Sequence, residues 1–261
     1  MKIGFMGTGA IAAAMVRGIS GQGHEIWVSE RNAALSMALA AECGDVTRHS
    51  NEDIAANSDV VFLCLMAPVA REVLPNLAFR PGQNLISVMV DVDLESLQSY
   101  APAAASIDIT IPLPQIASGG CPLPCYPSNA TVDRVFGSAN PSFVVKDMRA
   151  LNAHFAASAL MSTTLDQIAT GAAWLSAYTD DEPAAQFYLS HMLASALATV
   201  GQGEKQKQGQ KQAQGATVPQ MLAELSTEGG LNATLKAHLR KAKVPETLAE
   251  GLNGFQERLG L

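Results

Sequence analysis

Short apolar runs alternate with helix-forming segments along the first part of the chain. The predicted strands are residues 2–7, 25–29, 60–65 and 85–90. The last two are continuous apolar runs, as expected of strands that are buried on both faces of a parallel sheet. The predicted helices are residues 10–19, 32–42, 50–57 and 69–77. This alternation predicts an α/β fold built on a doubly wound parallel sheet.

Beyond the predicted sheet, the strand patterns stop and helical periodicity takes over. Pro183 follows three acidic residues, where a first-turn proline belongs, and begins a helix that reaches Val200. That helix is apolar nearly all round, which predicts that it is buried inside a larger assembly. A final helix begins at Pro245. We therefore predict two domains, a sheet domain at 1–162 and an all-helical domain at 163–261.

Composition and charge exclude several classes of protein. The chain is 48% apolar and 16% charged, which excludes an intrinsically disordered protein. Its net charge of −7 argues against a nucleic-acid partner. Apolar runs are too short for a membrane span, and the first residues do not resemble a signal peptide, so we expect a cytoplasmic protein. The Gln/Lys/Gly stretch at 201–215 is expected to be a solvated loop or a frayed helix end rather than a basic binding tail.

Cysteine and histidine spacing does not predict a metal site. Cys43 and Cys64 lie in a predicted helix and a predicted strand, where we expect them to fill the core. Cys121 and Cys125 are separated by a Pro-Leu-Pro segment, which favours a stiff, extended, proline-rich loop over zinc binding. The five histidines show no spacing typical of metal ligands.

The first predicted strand runs directly into a glycine motif. Residues 7–12 have the G-x-G-x-x-A pattern of a dinucleotide-binding turn, followed by a predicted helix. Gly7 would permit the tight turn, Gly9 would let the backbone approach a pyrophosphate, and Ala12 would keep the helix close to the sheet. The N–H groups at the start of the helix would bind the anion. The expected pyrophosphate contacts are Gly7, Thr8, Gly9, Ala10 and Ile11.

The end of the second predicted strand carries two opposing signals for the choice of cofactor. Glu30 stands where a carboxylate would bind the ribose hydroxyls of NAD, whereas Arg31 would neutralise the extra phosphate of NADP. Asn51, at the start of the third predicted helix, is a further expected cofactor contact. NADP or NAD is therefore the expected cofactor.

Three further segments give the chain a resemblance to the pyrroline-5-carboxylate reductase family. Residues 59–68 are similar to that family's strand ending in Val-Lys-Pro, which lies along the cofactor ribose. Residues 111–115 resemble its Met-Pro-Asn-Thr-Pro loop near the nicotinamide, and residues 226–232 stand in place of its Ser-Pro-Gly-Gly-Thr-Thr loop. The cofactor contacts implied by this resemblance are Leu65, Met66, Ala67 and Pro68.

The resemblance implies an activity and an assembly. Members of that family reduce a cyclic imine with NAD(P)H, usually preferring NADPH, and act in proline biosynthesis. Their helical domains pair into dimers, and each substrate pocket is formed across that interface. By resemblance, we expect a Rossmann domain followed by a helical dimerisation domain, a small imino or keto acid as substrate, and a homodimer through the C-terminal helices.

Several family positions differ in this chain. The lysine of Val-Lys-Pro is Ala67, and the asparagine of the nicotinamide loop is Leu113. Where the family has Gly-Ser-Gly-Pro-Ala, this chain has Ala-Thr-Gly-Ala at residues 169–172. The two threonines of the substrate loop are Leu231 and Asn232, and the second threonine is the family's candidate proton donor. The substrate therefore need not be pyrroline-5-carboxylate.

The expected substrate-binding residues are Gly229, Gly230, Leu231 and Asn232. The helix that follows Gly230 offers free N–H groups to a substrate carboxylate. Asn232 would orient that carboxylate or donate to the imine nitrogen, or it would simply cap the helix. Thr170 is a second catalytic candidate, against the alternative of an ordinary helix-interior threonine. A protonated imine is already activated, so a strong general acid is not essential.

Three functional hypotheses follow from the sequence. The first is an NAD(P)H-dependent imine reductase of the pyrroline-5-carboxylate type. The second is a related reductase of another imino or keto acid. The third is a nucleotide-binding dimer that has lost catalysis.

Overall fold

A computed structural model describes residues 1–200 and 217–261, so the predicted loop at 201–215 lies outside the described residues. The chain forms two compact units, one comprising Met1–Phe155 with Leu259–Leu261 and the other Ala156–Arg258. The first unit thus ends before the boundary predicted after residue 162. The helix at Met148–Ser158 packs on the sheet through the buried side chain of Leu151, and its residues up to Phe155 belong to this unit.

The first unit contains one eight-stranded sheet. Its strands are β1 (Lys2–Met6), β2 (Glu25–Ser29), β3 (Val46–His49), β4 (Val60–Leu63), β5 (Asn84–Ser87), β6 (Ser106–Thr110), β7 (Leu123–Tyr126) and β8 (Ser142–Val144). The strand order is β3-β2-β1-β4-β5-β6-β7-β8, and of these pairs only β6 with β7 is antiparallel. The predicted α/β fold with a doubly wound parallel sheet is confirmed, and the pair of β6 with β7 is the antiparallel exception.

Helices cover both faces of the sheet. They are α1 (Ala10–Ile19), α2 (Ala33–Glu42), α3 (Asn51–Asn57), α4 (Ala67–Val73), α5 (Leu94–Tyr100), α6 (Ala130–Phe136) and α7 (Met148–Ser158). Two 3₁₀ turns are added at Leu74–Asn76 and Pro114–Ala117. The side chains of Asn32, Ser50 and Asp93 cap α2, α3 and α5, each accepting a bond from a first-turn N–H.

The central strands are apolar throughout because each one contributes to two cores. In β4, Val60 and Phe62 pack with α1, α2 and α6, whereas Val61 and Leu63 pack with α3, α4 and α5. Phe62 stacks on Phe5 of β1, with ring centroids 4.8 Å apart. Successive side chains of a strand point to opposite faces, so a strand covered on both sides has no polar face.

The far edge of the sheet differs from the sequence-based expectation. The segment expected to be a proline-rich loop contains β7, and its carbonyl at Pro124 accepts a bond of 2.9 Å from the Thr110 hydroxyl. Proline lacks an N–H donor, but its carbonyl is still available for pairing. Cys125 of this strand and Cys121 just before it are buried in the core. Across residues 1–200 and 217–261, no three His, Cys, Asp or Glu side chains group as metal ligands would.

The second unit is helical over its described residues. Its helices are α8 (Leu160–Thr179), α9 (Glu182–Leu197), α10 (Val218–Glu224), α11 (Leu231–Lys241), α12 (Val244–Asn253) and α13 (Gln256–Leu259), of which Leu259 belongs to the first unit. The helix predicted to reach Val200 ends at Leu197. The predicted final helix is divided into α12 and α13 at Gly254 and Phe255.

The apolar side chains of α9 are exposed in the single chain. Phe187 is 63% exposed and Leu197 is 61% exposed, although the sequence predicts burial for this helix. The apolar pattern predicts burial of this helix within an assembly of several chains, whereas these exposed fractions refer to one chain alone. None of the helices described is both long enough and apolar enough to cross a membrane.

Helix α1 lies so close to the 3₁₀ turn at Pro114–Ala117 that Gly18 has no room for a side chain. A Cβ at Gly18 would lie 2.7 Å from the carbonyl oxygen of Ile116. Alanine in place of glycine stabilises an exposed helix by about 1 kcal/mol. Here we expect Gly18→Ala to lower the free energy of unfolding by about 1–2 kcal/mol, because a backbone atom must move.

Urea unfolding measures this difference directly. Gly44→Ala is the matched control, because a Cβ at Gly44 meets no atom within 4 Å. We expect the control to stay within about 0.5 kcal/mol of the parent protein. Equal stability of the Gly18→Ala and Gly44→Ala proteins would contradict the close approach of α1 to the turn.

Candidate cofactor cleft

A cleft opens at the carboxyl-terminal edge of the sheet, where the strand order reverses between β1 and β4. Ligands of doubly wound folds bind at such a reversal, because the helices after the two strands leave towards opposite faces. The cleft has a volume of about 370 Å³. Its lining residues are Gly9, Ala10, Ile11, Ala12, Cys64, Leu65, Val88, Val90, Ile111, Pro112, Leu113 and Phe155. None of them is charged.

The turn between β1 and α1 requires glycine at its first position. Gly7 has a φ of +91°, and a Cβ there would lie 2.4 Å from the carbonyl oxygen of Cys64. Gly9 has the opposite surroundings, because a Cβ there would meet no atom within 4 Å. Gly9 is also the residue that precedes the first turn of α1. The turn therefore leaves open space directly before the N–H groups of a helix.

Hydrogen bonds fix this turn to the end of β2. The Thr8 hydroxyl donates to the Ser29 carbonyl at 2.6 Å, and the Gly7 N–H donates to the Ser29 hydroxyl at 2.9 Å. The side-chain amide of Asn32 donates to the Thr8 carbonyl at 2.9 Å. Sequence reasoning placed Thr8 at the cofactor but missed Ser29 and Asn32. The signal in the sequence was that both are short polar residues and lie at or just after the end of the predicted strand 25–29.

The chain after β4 forms the second side of the cleft. Of the residues predicted there by resemblance, Leu65 lines the cleft, whereas Met66 and Pro68 are exposed and Ala67 begins α4. Cys64 also lines the cleft, and burial raises the pKa of its thiol to about 12. The thiol is therefore neutral at physiological pH, and a neutral thiol is a poor nucleophile.

The third side of the cleft is an apolar wall. Ile111, Pro112 and Leu113 belong to the loop that the resemblance placed near the nicotinamide. Val88 and Val90 follow β5, where the Ser87 hydroxyl turns the chain by accepting the Met89 N–H at 3.1 Å. Phe155, from α7, completes the wall. Sequence reasoning did not assign Val88, Val90 or Phe155 to the site.

The residues predicted to bind the adenosine half of a cofactor lie along the same edge. Glu30 and Arg31 are exposed and follow β2 directly. The parallel register pairs Ser29 with His49, which brings this strand end beside the start of α3 at Asn51. The Asn51 Oδ1 atom is buried and has no hydrogen-bond partner within the described residues. A buried polar atom without a partner is costly unless a ligand satisfies it.

The predicted substrate residues belong to the second unit. Gly229 has a φ of +74°, and Gly230 is the residue that caps α11. Asn232 is therefore not the cap, contrary to the alternative raised from the sequence. It is the second residue of the helix, because the chain enters the helix at Gly230, whose N–H bonds to the Thr227 carbonyl at 2.9 Å. Leu231 and Asn232 are both exposed.

Two consecutive hydrogen bonds connect this loop to the neighbouring helices. The Lys236 ammonium group donates to the Ser226 hydroxyl, which in turn donates to the Leu222 carbonyl. The loop before α11 is thus tied both to α11 and to α10. Thr170, the other catalytic candidate, is an exposed residue in the interior of α8.

Comparison with known proteins assigns the fold. Residues 2–91 match the family described as NADP oxidoreductase, coenzyme F420-dependent. The chain superimposes on a 1-pyrroline-5-carboxylate reductase from Streptococcus pyogenes with a TM-score of 0.76 and 18% identity, covering 100% of this chain and 99% of that one. The chain has the fold of the pyrroline-5-carboxylate reductases. A search of curated protein sequences gives no match.

Two further solved structures support this assignment of the fold. A pyrroline carboxylate reductase from Plasmodium falciparum, solved with NADP bound, has a TM-score of 0.76 and 16% identity, covering 99% of this chain and 97% of that one. An imine reductase from Pseudomonas sp. has a TM-score of 0.55 and 16% identity, covering 76% of this chain and 75% of that one. The pyrroline-5-carboxylate reductase fold thus extends over both compact units.

The hydroxyl of Thr8 is the group that joins the glycine turn to the Ser29 carbonyl. We expect Thr8→Val to lower the free energy of unfolding by about 1–2 kcal/mol, because a buried carbonyl loses its donor. Thr8→Ser keeps the hydroxyl and is the matched control. Chemical unfolding of the two variants checks the expectation, and a valine protein as stable as the serine protein would contradict it.

Proposed function

We propose that the protein is an NADP(H)-dependent oxidoreductase that transfers a hydride to the C=N bond of a cyclic imino acid. The observation that carries the proposal is the open space before the first turn of α1, at Gly9, in a chain with the fold of pyrroline-5-carboxylate reductases. That space lies where a doubly wound fold binds the pyrophosphate of a dinucleotide.

The residues of the cleft fit such a cofactor. Gly9 would let the pyrophosphate approach the N–H groups of Ala10 and Ile11, which precede the first intrahelical bond from Ala13 to Gly9. The buried and unpartnered Oδ1 atom of Asn51 would accept a hydrogen bond from a ribose hydroxyl or from the adenine amino group. Both features support binding of a dinucleotide in this orientation.

Two arginines support NADP over NAD. Arg31 follows β2, and Arg48 lies on β3 in register with Val28. The Arg48 guanidinium donates to the Ser36 hydroxyl at 2.9 Å and has no carboxylate partner within the described part of the chain. A guanidinium group is well suited to a phosphate. Glu30 is the one residue here that would favour NAD.

The side chains near the nicotinamide end define what the site does. Bound NADPH would supply the hydride. The apolar wall at Val88, Val90 and Leu113 would exclude water from the reacting carbon. None of the lining residues is a general acid, so the acceptor has to be electrophilic already, as a protonated imine is. For the second unit taken by itself, we propose that the N–H groups that follow Gly230 bind a substrate carboxylate and that Asn232 and Thr170 are further substrate contacts.

A second candidate is a reductase of a different imino or keto acid. It is favoured by Ala67 and Leu113, which are apolar where the resemblance gives a lysine and an asparagine. Apolar side chains at these positions can pack against an apolar part of a substrate. They offer no hydrogen bond to a polar substrate group, which would then lose its partner in water without gaining another. If the protein turns over neither substrate class, the hypothesis of a nucleotide-binding dimer without catalysis is left.

Oxidation of NADPH and NADH, followed by absorbance, tests the function. We expect consumption of NADPH with pyrroline-5-carboxylate, and slower consumption of NADH. 2-Methyl-1-pyrroline, a cyclic imine without a carboxylate, serves as the comparison. Turnover of another imino or keto acid, but not of pyrroline-5-carboxylate, would favour the second candidate. Tight NADPH binding without turnover of any imine or keto acid would leave only the non-catalytic dimer.

Gly9→Val tests the cofactor site separately. We expect the variant to fold, because the open space admits a side chain, but to raise the Kd for NADPH by about tenfold or more, equivalent to about 1.4 kcal/mol. Gly44→Val is the matched control, since Gly44 precedes β3 at the opposite edge of the sheet. An unchanged Kd in the Gly9→Val protein would argue against pyrophosphate binding at this turn.

We further propose a homodimer through the C-terminal helices, in the cytoplasm. Trp174 of α8 is 66% exposed, and its ring lies 5.0 Å from that of Tyr178, which is also exposed. Phe187 and Tyr188 of α9 add to this apolar surface, and a groove of about 570 Å³ opens between α8 and the α11–α12 region of the same unit. Monomeric proteins rarely expose large contiguous apolar patches.

Sedimentation analysis checks the assembly. We expect the protein to sediment at twice the chain mass of 27.3 kDa. Phe187→Glu should yield monomers, because it would place a charge in the proposed interface. Met37→Glu, on exposed α2 of the first unit, should leave the dimer intact. A wild-type protein that sediments at the mass of a single chain would contradict the proposal.

A further inference from the structure

Phe155 separates the cofactor cleft from a second, much smaller space. It lines the cleft on one side and a crevice of about 10 Å³ on the other. Val90 and Ile111 also line both spaces. These three side chains therefore form a partition that is one residue thick. The crevice has room for about one water-sized sphere, so a small space rather than packed side chains lies behind the partition.

The helix that carries Phe155 faces the crevice with one side. Met148, Leu151, Asn152 and Phe155 line the crevice and recur at the spacing of one helical face. Leu151 anchors this face in the apolar core of the sheet. The position of Phe155 thus depends on how firmly the last two turns of α7 are held.

A hydrogen bond from a distant part of the chain holds those turns. The side-chain amide of Asn152 donates to the carbonyl of Leu259 at 2.8 Å, across 107 residues of sequence. Leu259 is only 7% exposed, and residues 259–261 belong to the first compact unit. The bond is made about one helical turn before Phe155, on the same face of α7.

We propose that Asn152 is a positioning residue for the cofactor cleft, which acts by holding Phe155 in the partition. The proposal rests on the proposed function, since it requires the dinucleotide to occupy the cleft. Without the bond to Leu259, α7 would be free to move into the crevice. The ring of Phe155 would then leave the wall, because packed side chains fill adjacent voids when their support is removed.

A double-mutant cycle on NADPH affinity tests the proposal. The variants are Asn152→Leu, Phe155→Ala and the two combined, with Kd measured from NADPH fluorescence. We expect Phe155→Ala to raise Kd about tenfold and Asn152→Leu about three- to fivefold, by analogy with truncated contact residues. If Asn152 acts through Phe155, the double variant will bind no more weakly than Phe155→Ala alone, a strong non-additivity.

Two further variants make the experiment specific. Asn152→Asp keeps the shape of the side chain but cannot donate to the Leu259 carbonyl, so we expect it to match Asn152→Leu. Arg149→Leu removes an exposed polar side chain from the same helix and should leave Kd unchanged. Urea unfolding of every variant shows whether it is folded under the assay conditions.

The outcomes separate this proposal from the proposed function. Additive effects of the two substitutions, or a Kd unchanged by both Asn152 variants, would overturn the positioning role while leaving cofactor binding in place. A loss of unfolding free energy without a change in Kd would do the same, because it would show a purely structural bond. A wild-type protein that does not bind NADPH would overturn the proposed function and this proposal with it.

Discussion

The close contact between Gly7 and the Cys64 carbonyl is the constraint on which the cleft depends. A side chain at Gly7 would lie within 2.4 Å of that oxygen, so the β1–α1 turn can sit against the end of β4 only with glycine. The Thr8 hydroxyl then binds the turn to β2 on the other side. The turn is thereby fixed between the two strands that flank β1, and the first N–H groups of α1 face an open space of defined position.

The low charge of the chain has two structural sources. The central strands are covered by helices on both faces, so strands such as β4 offer no exposed face for polar residues. The cleft itself has an apolar lining, and even its thiol at Cys64 stays neutral because burial raises its pKa to about 12. Under the proposed function, such a site would bind through backbone N–H groups and shape, and its substrate would arrive already activated.

The predictions from sequence were most accurate where residues that are close in sequence also determine the packing. The first helix was predicted within the bounds observed, Ala10–Ile19, because the glycine turn before it and its small apolar residues act locally. β3 and the strands beyond β5 were missed, since none of them is a continuous apolar run, and β7 contains Pro124. Asn232 was offered as a helix cap because its residue type suits that role, but the chain enters the helix at Gly230.

The sequence by itself determined the doubly wound sheet, the glycine turn and the helical second half. Each of these follows from apolar periodicity and from backbone conformations that only glycine adopts readily. The tertiary structure alone decided which side chains enclose the cleft. Val88 and Phe155 reach the cleft from separate segments, the Ser29 carbonyl holds the glycine turn from a third, and the bond from Asn152 to Leu259 spans 107 residues. No local pattern encodes such contacts, because they depend on the order in which the strands lie side by side.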